Sequence, residues 1–202
     1  DEVLLDRLLT KCSEHLSIFA APVVLDRDYD ISADACDVVI DVVRQNVPQV
    51  FVDLPHTWTP WVKRVLLQAD EIVIVATPDL ANLRNAKNLL EMVKGARTND
   101  APPRLILNMV KMPKRPEIEP KAFAEAIGIE PSSIIEFDSE TFGQASNNGQ
   151  MVEELSGKSK AAPQFRELAM KLAHRKDAVA DKKPAASGSA LAPLLSKLKL
   201  KR

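Results

Sequence analysis

Polar side chains that could bind a ligand or a metal ion follow three strand-like runs of this sequence. Asp53 ends the apolar run at residues 50–52, and Asn108 and Asp138 end two later runs. A carboxylate is a ligand that Mg²⁺ accepts, often with water between them, and an amide offers both a hydrogen-bond donor and an acceptor. From the residues alone, two structural roles stay open: Asp53 as a helix cap and Asn108 as a turn residue.

Alternating strands and helices must position these residues. Strands are predicted at residues 16–24, 47–55, 71–79, 102–110 and 132–138, and helices at 1–12, within 26–47, at 80–96, 121–129 and 159–175, with 57–68 compatible with a further helix. Uniformly apolar strands favour an α/β fold, with a parallel sheet flanked by helices on both faces. The strand ends Asp53, Pro78, Asn108 and Asp138 then converge on one edge, where such folds bind ligands.

Helix termini carry capping residues that support this assignment. Ser32 or Asp34 can cap the helix within 26–47, and Asp79 can cap the helix at 80–96. Gly95 lies near the end of that helix, where glycine is common.

Composition excludes several classes of protein. A net charge of −1 gives no sign of nucleic-acid binding. No apolar run reaches the ~18 residues that a membrane-spanning helix needs, and no signal peptide is visible. Cys12 and Cys36 lack CxxC spacing, so we expect small buried or half-buried residues rather than a disulfide or a zinc site. Because the chain begins at Asp1 in a helical pattern, we expect a fragment or processed form.

Four stretches resemble the MinD/ParA family of P-loop ATPases and, within it, the CpaE/TadZ proteins of Flp (Tad, type IVc) pilus assembly. "VFVDLP" is similar to the Walker B strand, and "ADEIVIVATPDLANLRNAKNLLE" to the following strand and helix. "LILNMV" resembles the strand that ends in an Asn near the adenine, and "FDSETFGQASNNGQMV" the loop and helix that close over the base. The segments "DLPHTWTPW" and "PKRPEI" look more like CpaE than like a division-site MinD.

The resemblance implies ATP and Mg²⁺ as cofactors, and it implies a role for each candidate residue. Asp53 would hold Mg²⁺ through water, and Asn108 would hydrogen-bond the adenine. Phe137 and Asp138 would border the base, and Asn148 would lie on the closing loop. The alternative for Asn148 and the following glycine is a plain helix C-cap. No catalytic residue is assigned.

The resemblance departs from the family pattern at the phosphate-binding loop. That glycine-rich loop comes first in the family and is not found in residues 1–202; the Gly-Lys pair in "SGKSK" at 156–160 lacks the required glycine and strand. We therefore expect residues 1–175 to be the C-terminal part of a three-layer ATPase domain whose N-terminal P-loop unit is missing. This chain alone should be inactive, whereas its full-length parent should bind ATP and Mg²⁺.

Two further features concern partners. Trp58 and Trp61 share a face if 57–68 is helical, and they either pack inside the domain or form a partner or dimer surface. Residues 176–190 have linker composition, and residues 191–202 form a basic tail with an imperfect leucine stripe. The tail could bind a membrane surface, dock a protein, or remain a solvated chain.

The leading functional prediction is a cytoplasmic, nucleotide-dependent regulatory ATPase of the CpaE type that localises or assembles the Flp/Tad pilus machinery. It would act as a homodimer with pilus assembly proteins, at the inner membrane or the cell pole. The alternative is a non-hydrolysing pseudo-ATPase scaffold serving as a polar or membrane landmark. A metabolic α/β enzyme is disfavoured because no Gly-x-Gly-x-x-Gly, metal-spaced His/Cys set or nucleophile elbow is present.

Overall fold

The computed structural model describes residues 7–21, 31–157 and 159–173. Its strands are β1 (Thr10–Lys11), β2 (Ser17–Ile18), β3 (Val73–Ala76), β4 (Arg104–Val110) and β5 (Pro131–Glu136). Its helices are α1 (Ala33–Asn46), α2 (Pro60–Gln68), α3 (Leu80–Ala96), α4 (Pro120–Ile127), α5 (Ser139–Asn148), α6 (Val152–Leu155) and α7 (Ala161–Leu172).

A parallel sheet in the order β3–β4–β5 forms the centre of the fold. Helices α3 and α4 cover one face, where the packed side chains include Ile74, Leu90 and Phe123. Helices α5, α6 and α7 cover the other face, around Ile106 and Ile135. The α/β fold with a parallel sheet between two helical layers is therefore confirmed.

Local sequence explains why these elements begin and end where they do. Asp79 caps α3, because its Oδ1 accepts a hydrogen bond from Asn82 N at 2.8 Å. Thr59 and Pro60 start α2, with a capping hydroxyl followed by a residue that needs no N–H partner. Gly128 ends α4 in the left-handed region, with φ of 79°, which costs glycine nothing.

The first expected strand, at residues 16–24, is not a buried strand of the sheet. Residues 17 and 18 instead form β2, which pairs antiparallel with β1 in a hairpin. Each of these strands has two residues, and their side chains are exposed. Residues 10 and 11 are therefore extended, not the end of the helix expected at 1–12. Residues 1–6 and 22–30 lie outside the described part of the chain.

The strand expected at residues 47–55 also differs from the structure. Residues 50–53 have no strand pairing, and all residues from 47 to 53 are exposed, with Phe51 at 72%. The physical reason is that a strand needs a neighbour for its N–H and C=O groups and its apolar side chains. The neighbour of β3 in the described sheet is β4, and no described strand lies along its other edge.

Helix α1 is joined to the rest of the molecule mainly through α2. Ser32, the first of the two expected caps, accepts a hydrogen bond from Ala35 N at 3.2 Å. Arg64 of α2 then bonds Asp34 and Asp37 of α1, each at 2.8 Å. Two ion pairs of Arg64 therefore link α1 to α2.

The two cysteines differ in their surroundings. Cys36 of α1 is buried, and burial together with the nearby Asp37 carboxylate raises the pKa of its thiol. Cys12 is exposed beside the β1–β2 hairpin, contrary to the expectation of a buried or half-buried residue.

The second face of β3 is open at Val75, although Val73 on the same face is partly buried. Val75 pairs in register with Ile106, so the two side chains are neighbours on one face of the sheet. Ile106 is 4% exposed beneath the α5–α7 layer, whereas Val75 is 58% exposed. The helical cover thus stops short of the β3 edge. Within the described residues, no helix has the length and apolarity needed to cross a bilayer.

Candidate functional site

The carboxyl ends of β3, β4 and β5 meet at one edge of the sheet. Because the strands are parallel and adjacent, Pro78, Asn108 and Asp138 lie at or just past three neighbouring strand ends. Backbone bonds join the segments: Phe137 N donates to Val110 O, and Ile118 N donates to Pro78 O, both at 2.8 Å. The edge predicted for ligand binding therefore exists for these three positions. Asp53, the fourth predicted strand end, lies in a segment that is not paired with the sheet.

Asn108 lies in a bulge of β4. Leu107 pairs with Ile134 and Val110 with Glu136, so two β4 residues, Asn108 and Met109, face a single residue of β5. Met109 has a left-handed backbone, with φ of 55°. The Oδ1 atom of Asn108 accepts from Met109 N at 2.8 Å, while Nδ2 has no hydrogen-bond partner among the described residues. The half-buried side chain thus keeps two N–H donors and one oxygen lone pair for a ligand.

The loop that follows Asn108 contains further left-handed residues without being glycine-rich. Lys111 has φ of 61° and Lys114 has φ of 62°. Such conformations cost non-glycine residues of order 1 kcal/mol or more. The Lys111 N–H donates to both carboxylate oxygens of Glu117 at 2.9 Å, and Arg115 Nη2 donates to Met109 O at 2.6 Å. Side-chain hydrogen bonds therefore hold the strained backbone.

Asp138 is a helix cap in this structure. Its Oδ1 accepts from Thr141 N at 2.9 Å at the start of α5. The Thr141 hydroxyl and backbone N–H lower the pKa of the Asp138 carboxyl, which is therefore ionised at neutral pH. Phe137 precedes it and is half-buried. These two residues stand beside the Asn108 strand end, as predicted.

The Thr77–Asp79 turn after β3 carries the most strongly shifted carboxyl group among the described residues. The Thr77 hydroxyl, together with the backbone and side-chain amides of Asn82, lowers the pKa of Asp79 to about 2. All of these partners belong to the turn and to the first residues of α3. Asp79 therefore fastens the helix to the strand end.

Asn148 and Asp53 occupy positions of a different kind. Asn148 is the last residue of α5, is exposed, and donates to Gln150 Oε1 at 3.2 Å. The next residue, Gly149, ends the helix in the left-handed region, with φ of 63°, so the helix C-cap that was the alternative to a closing-loop role is present. Asp53 is exposed at the end of the unpaired run 50–53. The structure brings neither residue into contact with Asn108.

Positive side chains flank the β5 end of the edge. Lys111 and Lys160 both donate to Glu136, the latter at 3.1 Å. The hydrogen bond to Glu136 raises the pKa of Lys111, and the two lysines lower the pKa of Glu136. This shared contact ties the loop after β4 to β5 and to the start of α7.

The residues present fit the base of a nucleotide better than its phosphates. Asn108 supplies the donor and acceptor that a base edge requires, and Asp53 could hold Mg²⁺ through water. A phosphate-binding loop is absent from residues 1–202. Among the described residues, no group of three or more His, Cys, Asp and Glu side chains could hold a metal by itself.

A cavity of about 500 Å³ lies at the opposite, amino edge of the sheet. Three of its lining side chains already have partners: Arg97 bonds Asp100 at 2.5 Å and Ala69 O at 2.6 Å, and Glu71 pairs with Arg104 at 3.1 Å. Arg97 thereby caps the end of α2 and joins it to the end of α3. These contacts stabilise the fold at this edge.

Arg115 and Glu117 were not selected from the sequence as site residues. They follow a proline-containing loop, and nothing in their spacing signals that they contact residues 109 and 111. A left-handed backbone at Met or Lys is equally invisible, since these residues rarely adopt it. The sequence singles out only the "PKRPEI" segment as a whole, through its likeness to CpaE.

Comparison with known proteins gives relatives of one kind. No family model matches the chain. The septum site-determining protein MinD of Bacillus subtilis (strain 168) is 23% identical over 137 residues, which are 66% of this chain and 50% of that protein. The chain thus spans about half the length of the curated relative it matches.

Solved structures share the fold. A ParA family ATPase from Chlorobium tepidum TLS superposes with a TM-score of 0.74 at 24% identity, covering 85% of this chain and 70% of that one. MinD from Pyrococcus horikoshii OT3, complexed with Mg-ADP, gives 0.60 at 19% identity, covering 70% and 56%. The MinC:MinD complex of Aquifex aeolicus gives 0.60 at 18% identity, covering 73% and 61%. The fold is therefore that of ParA and MinD ATPases, represented in part.

Proposed function

We propose that this chain is the C-terminal part of a ParA/MinD-type regulatory ATPase and that the carboxyl edge of β3–β4–β5 binds the base of ATP. The observation that carries the proposal is the Asn108 amide, whose Nδ2 has no partner among the described residues at the ligand-binding edge of this fold. Phe137 and the Asp138 cap border the base, and Asn148, the last residue of α5, adjoins the closing loop. Asp53 contributes to the binding of Mg²⁺ through a bridging water.

The phosphates and the completion of the sheet come from a P-loop unit outside residues 1–202. Two observations support this. The β3 edge has no described neighbour on one side, and Val75 is 58% exposed beside it. Strands of parallel sheets are normally buried on both faces, so a further strand and helix along this edge complete the domain.

The finer proposal is a CpaE-type role, in which the ATPase localises or assembles the Flp/Tad pilus machinery. It is supported by the sequence "DLPHTWTPW" and by the segment "PKRPEI", which contains part of the strained loop. The protein then acts as a cytoplasmic homodimer at the inner membrane or the cell pole, with pilus assembly proteins as partners. The tail that would attach it lies outside the described residues.

Binding of ATP by the natural full-length protein tests the base site. Asn108→Ala should weaken binding of ATP by roughly tenfold, the effect of losing one to two hydrogen bonds in a partly desolvated site. Asn99→Ala is the matched control, because Asn99 is an exposed asparagine at the opposite edge of the sheet. Equal weakening by both variants, or by neither, would reject Asn108 as the base ligand.

A further inference from the structure

The loop from Met109 to Glu117 is held in a costly conformation close to the proposed base ligand. Three of its non-glycine residues have a left-handed backbone conformation with positive φ: Met109, Lys111 and Lys114. Strain of this kind persists only where surrounding contacts hold it, and it concentrates at binding sites. The contacts that hold it here therefore bear on the position of Asn108.

Two partly buried side chains supply those contacts. Arg115 is 24% exposed and donates from Nη2 to Met109 O at 2.6 Å; Glu117 is 18% exposed and accepts the Lys111 N–H on both oxygens. Arg115 and Glu117 also lie 3.9 Å apart as an ion pair. Ile118 N anchors the far end of the loop to Pro78 O at 2.8 Å.

This arrangement is not optimised for stability. The Nε atom of Arg115 is buried and has no hydrogen-bond partner among the described residues. A buried donor without a partner destabilises the folded state, and native structures keep few of them. Together with the left-handed residues, it indicates that the geometry of the loop matters more than its contribution to folding.

We propose that Arg115 and Glu117 are positioning residues that set base specificity by fixing the bulge at Asn108 and Met109. The inference rests on the proposed function, because it assumes that Asn108 meets the base. Arg115 holds the carbonyl on one side of Val110, and Glu117 holds the amide of Lys111 on the other. The bulge is thereby clamped immediately after Asn108, so the position of its amide is determined by the pair.

A fixed amide discriminates between purines by its donor and acceptor pattern. On one edge adenine presents an amino donor beside a ring-nitrogen acceptor, which matches the acceptor and donor of an asparagine, whereas guanine presents two acceptors there. Loss of either clamp lets the amide rotate or shift, and the two purines become less distinguishable. The expected signature is a loss of selectivity larger than any loss of folding stability.

The test uses adenosine and guanosine as probes, because nucleosides need no phosphate loop. Binding to the full 202-residue chain and to its natural full-length form is followed by NMR titration of the Asn108 side-chain amide. Arg115→Met and Glu117→Leu should lower the adenosine-over-guanosine affinity ratio by roughly three- to tenfold. Arg115→Lys and Glu117→Gln should restore part of it, since each retains a donor or an acceptor.

Controls separate the possible failures. Glu125→Gln on the exposed face of α4 and Lys114→Met in the same loop should keep the ratio unchanged, and urea unfolding shows which variants are folded. If Arg115→Met or Glu117→Leu does not fold, the milder pair decides, with an intermediate ratio expected. No preference for adenosine in the unchanged protein would overturn the proposed base site and this inference with it. A clear preference that survives in the folded variants would overturn the inference alone.

Discussion

The described residues within 7–53 and those within 60–173 form two regions that differ in their packing. In the second, apolar side chains from β3, β4, β5 and their helices form two packed clusters on either side of the sheet. In the first, Cys36 is the single buried apolar side chain among the described residues, while Phe51, Val38 and Phe19 are exposed.

The difference shows what a strand-forming sequence requires. The runs at 50–52 and 73–76 are both rich in β-branched or aromatic residues. The second run pairs with β4 and buries Ile74 and Ala76 under α3, whereas the first is exposed and unpaired. A high strand propensity does not by itself place a segment in a sheet; a neighbouring strand must also be present.

A pair of phenylalanine substitutions tests this comparison with the largest expected effect. Phe123 is 0% exposed and Phe51 is 72% exposed. Phe123→Ala should lower the free energy of unfolding by about 3–5 kcal/mol, whereas Phe51→Ala should change it by no more than ~0.5 kcal/mol. Urea unfolding of the 202-residue chain measures both. Similar losses from the two changes would show that residues 50–53 pack in solution.

The cap of α3 gives a pH-dependent effect of intermediate size. Asp79→Ala should cost about 1 kcal/mol at neutral pH, as for other lost N-caps. The pKa of Asp79 is lowered to about 2 in the folded protein, from about 4 in an unfolded chain. Its contribution is therefore complete above about pH 4 and disappears as the pH falls through about 2.

Thermal or urea unfolding at a series of pH values checks this cap. The difference between the unchanged protein and Asp79→Ala should shrink below about pH 4. Asp70→Ala, at an exposed acid on the other edge of the sheet, is the control and should show a flat, near-zero difference. A difference that grows in acid would contradict the assigned hydrogen bonds.

The Arg64 contact between α1 and α2 distinguishes the two regions more finely. Arg64→Met removes the bonds to Asp34 Oδ1 and Asp37 Oδ2, beside an Asp37 Oδ1 atom that is already buried without a described partner. Because Arg64 is 41% exposed, water screens these ion pairs and the loss of stability should be small. Hydrogen exchange should rise in α1 and stay unchanged in α3 and β4. Faster exchange throughout the sheet would mean that the two regions unfold together.

The smallest stability effect is expected at Trp58. It is 56% exposed, whereas Trp61 is half-buried in α2. Trp58→Ala should leave the free energy of unfolding within ~0.5 kcal/mol yet reduce self-association of the ATP-bound full-length protein, if the residue belongs to a dimer surface. Analytical ultracentrifugation with ATP and with ADP separates these effects. Unaltered association would leave Trp58 without a role at the dimer surface.

Much of the second region could be predicted from sequence. The apolar runs at 71–79 and 102–110 contain β3 and β4, the run at 132–138 overlaps β5, and Asp79 caps α3 as expected. These elements are encoded locally, by periodicity and caps, and each finds its partner within the next few dozen residues. The strands expected at 16–24 and 47–55 do not form part of the parallel sheet in the described residues. Strand pairing depends on neighbours that a sequence pattern cannot show.

The candidate site was predictable only in outline. Strand ends located Asn108 and Asp138 at one edge, since parallel strands place their carboxyl ends together. The bulge at Met109 and the clamp formed by Arg115 and Glu117 depend on backbone angles that Met and Lys seldom adopt. Asp138 caps a helix through its contact with Thr141, three residues along. The sequence predicts only a position for Asp138 beside the base.

The order β3–β4–β5 has a consequence for how the chain acquires its structure. Each strand pairs with the next one along the sequence, so only one helix-containing connection must close before each pairing forms. Short closures cost less conformational entropy and are associated with faster folding. We expect the residues from β3 onward to fold early and to form the surface on which the preceding segments assemble. The segments of this sequence that precede β3 are synthesised first, and they would then be the last to fold.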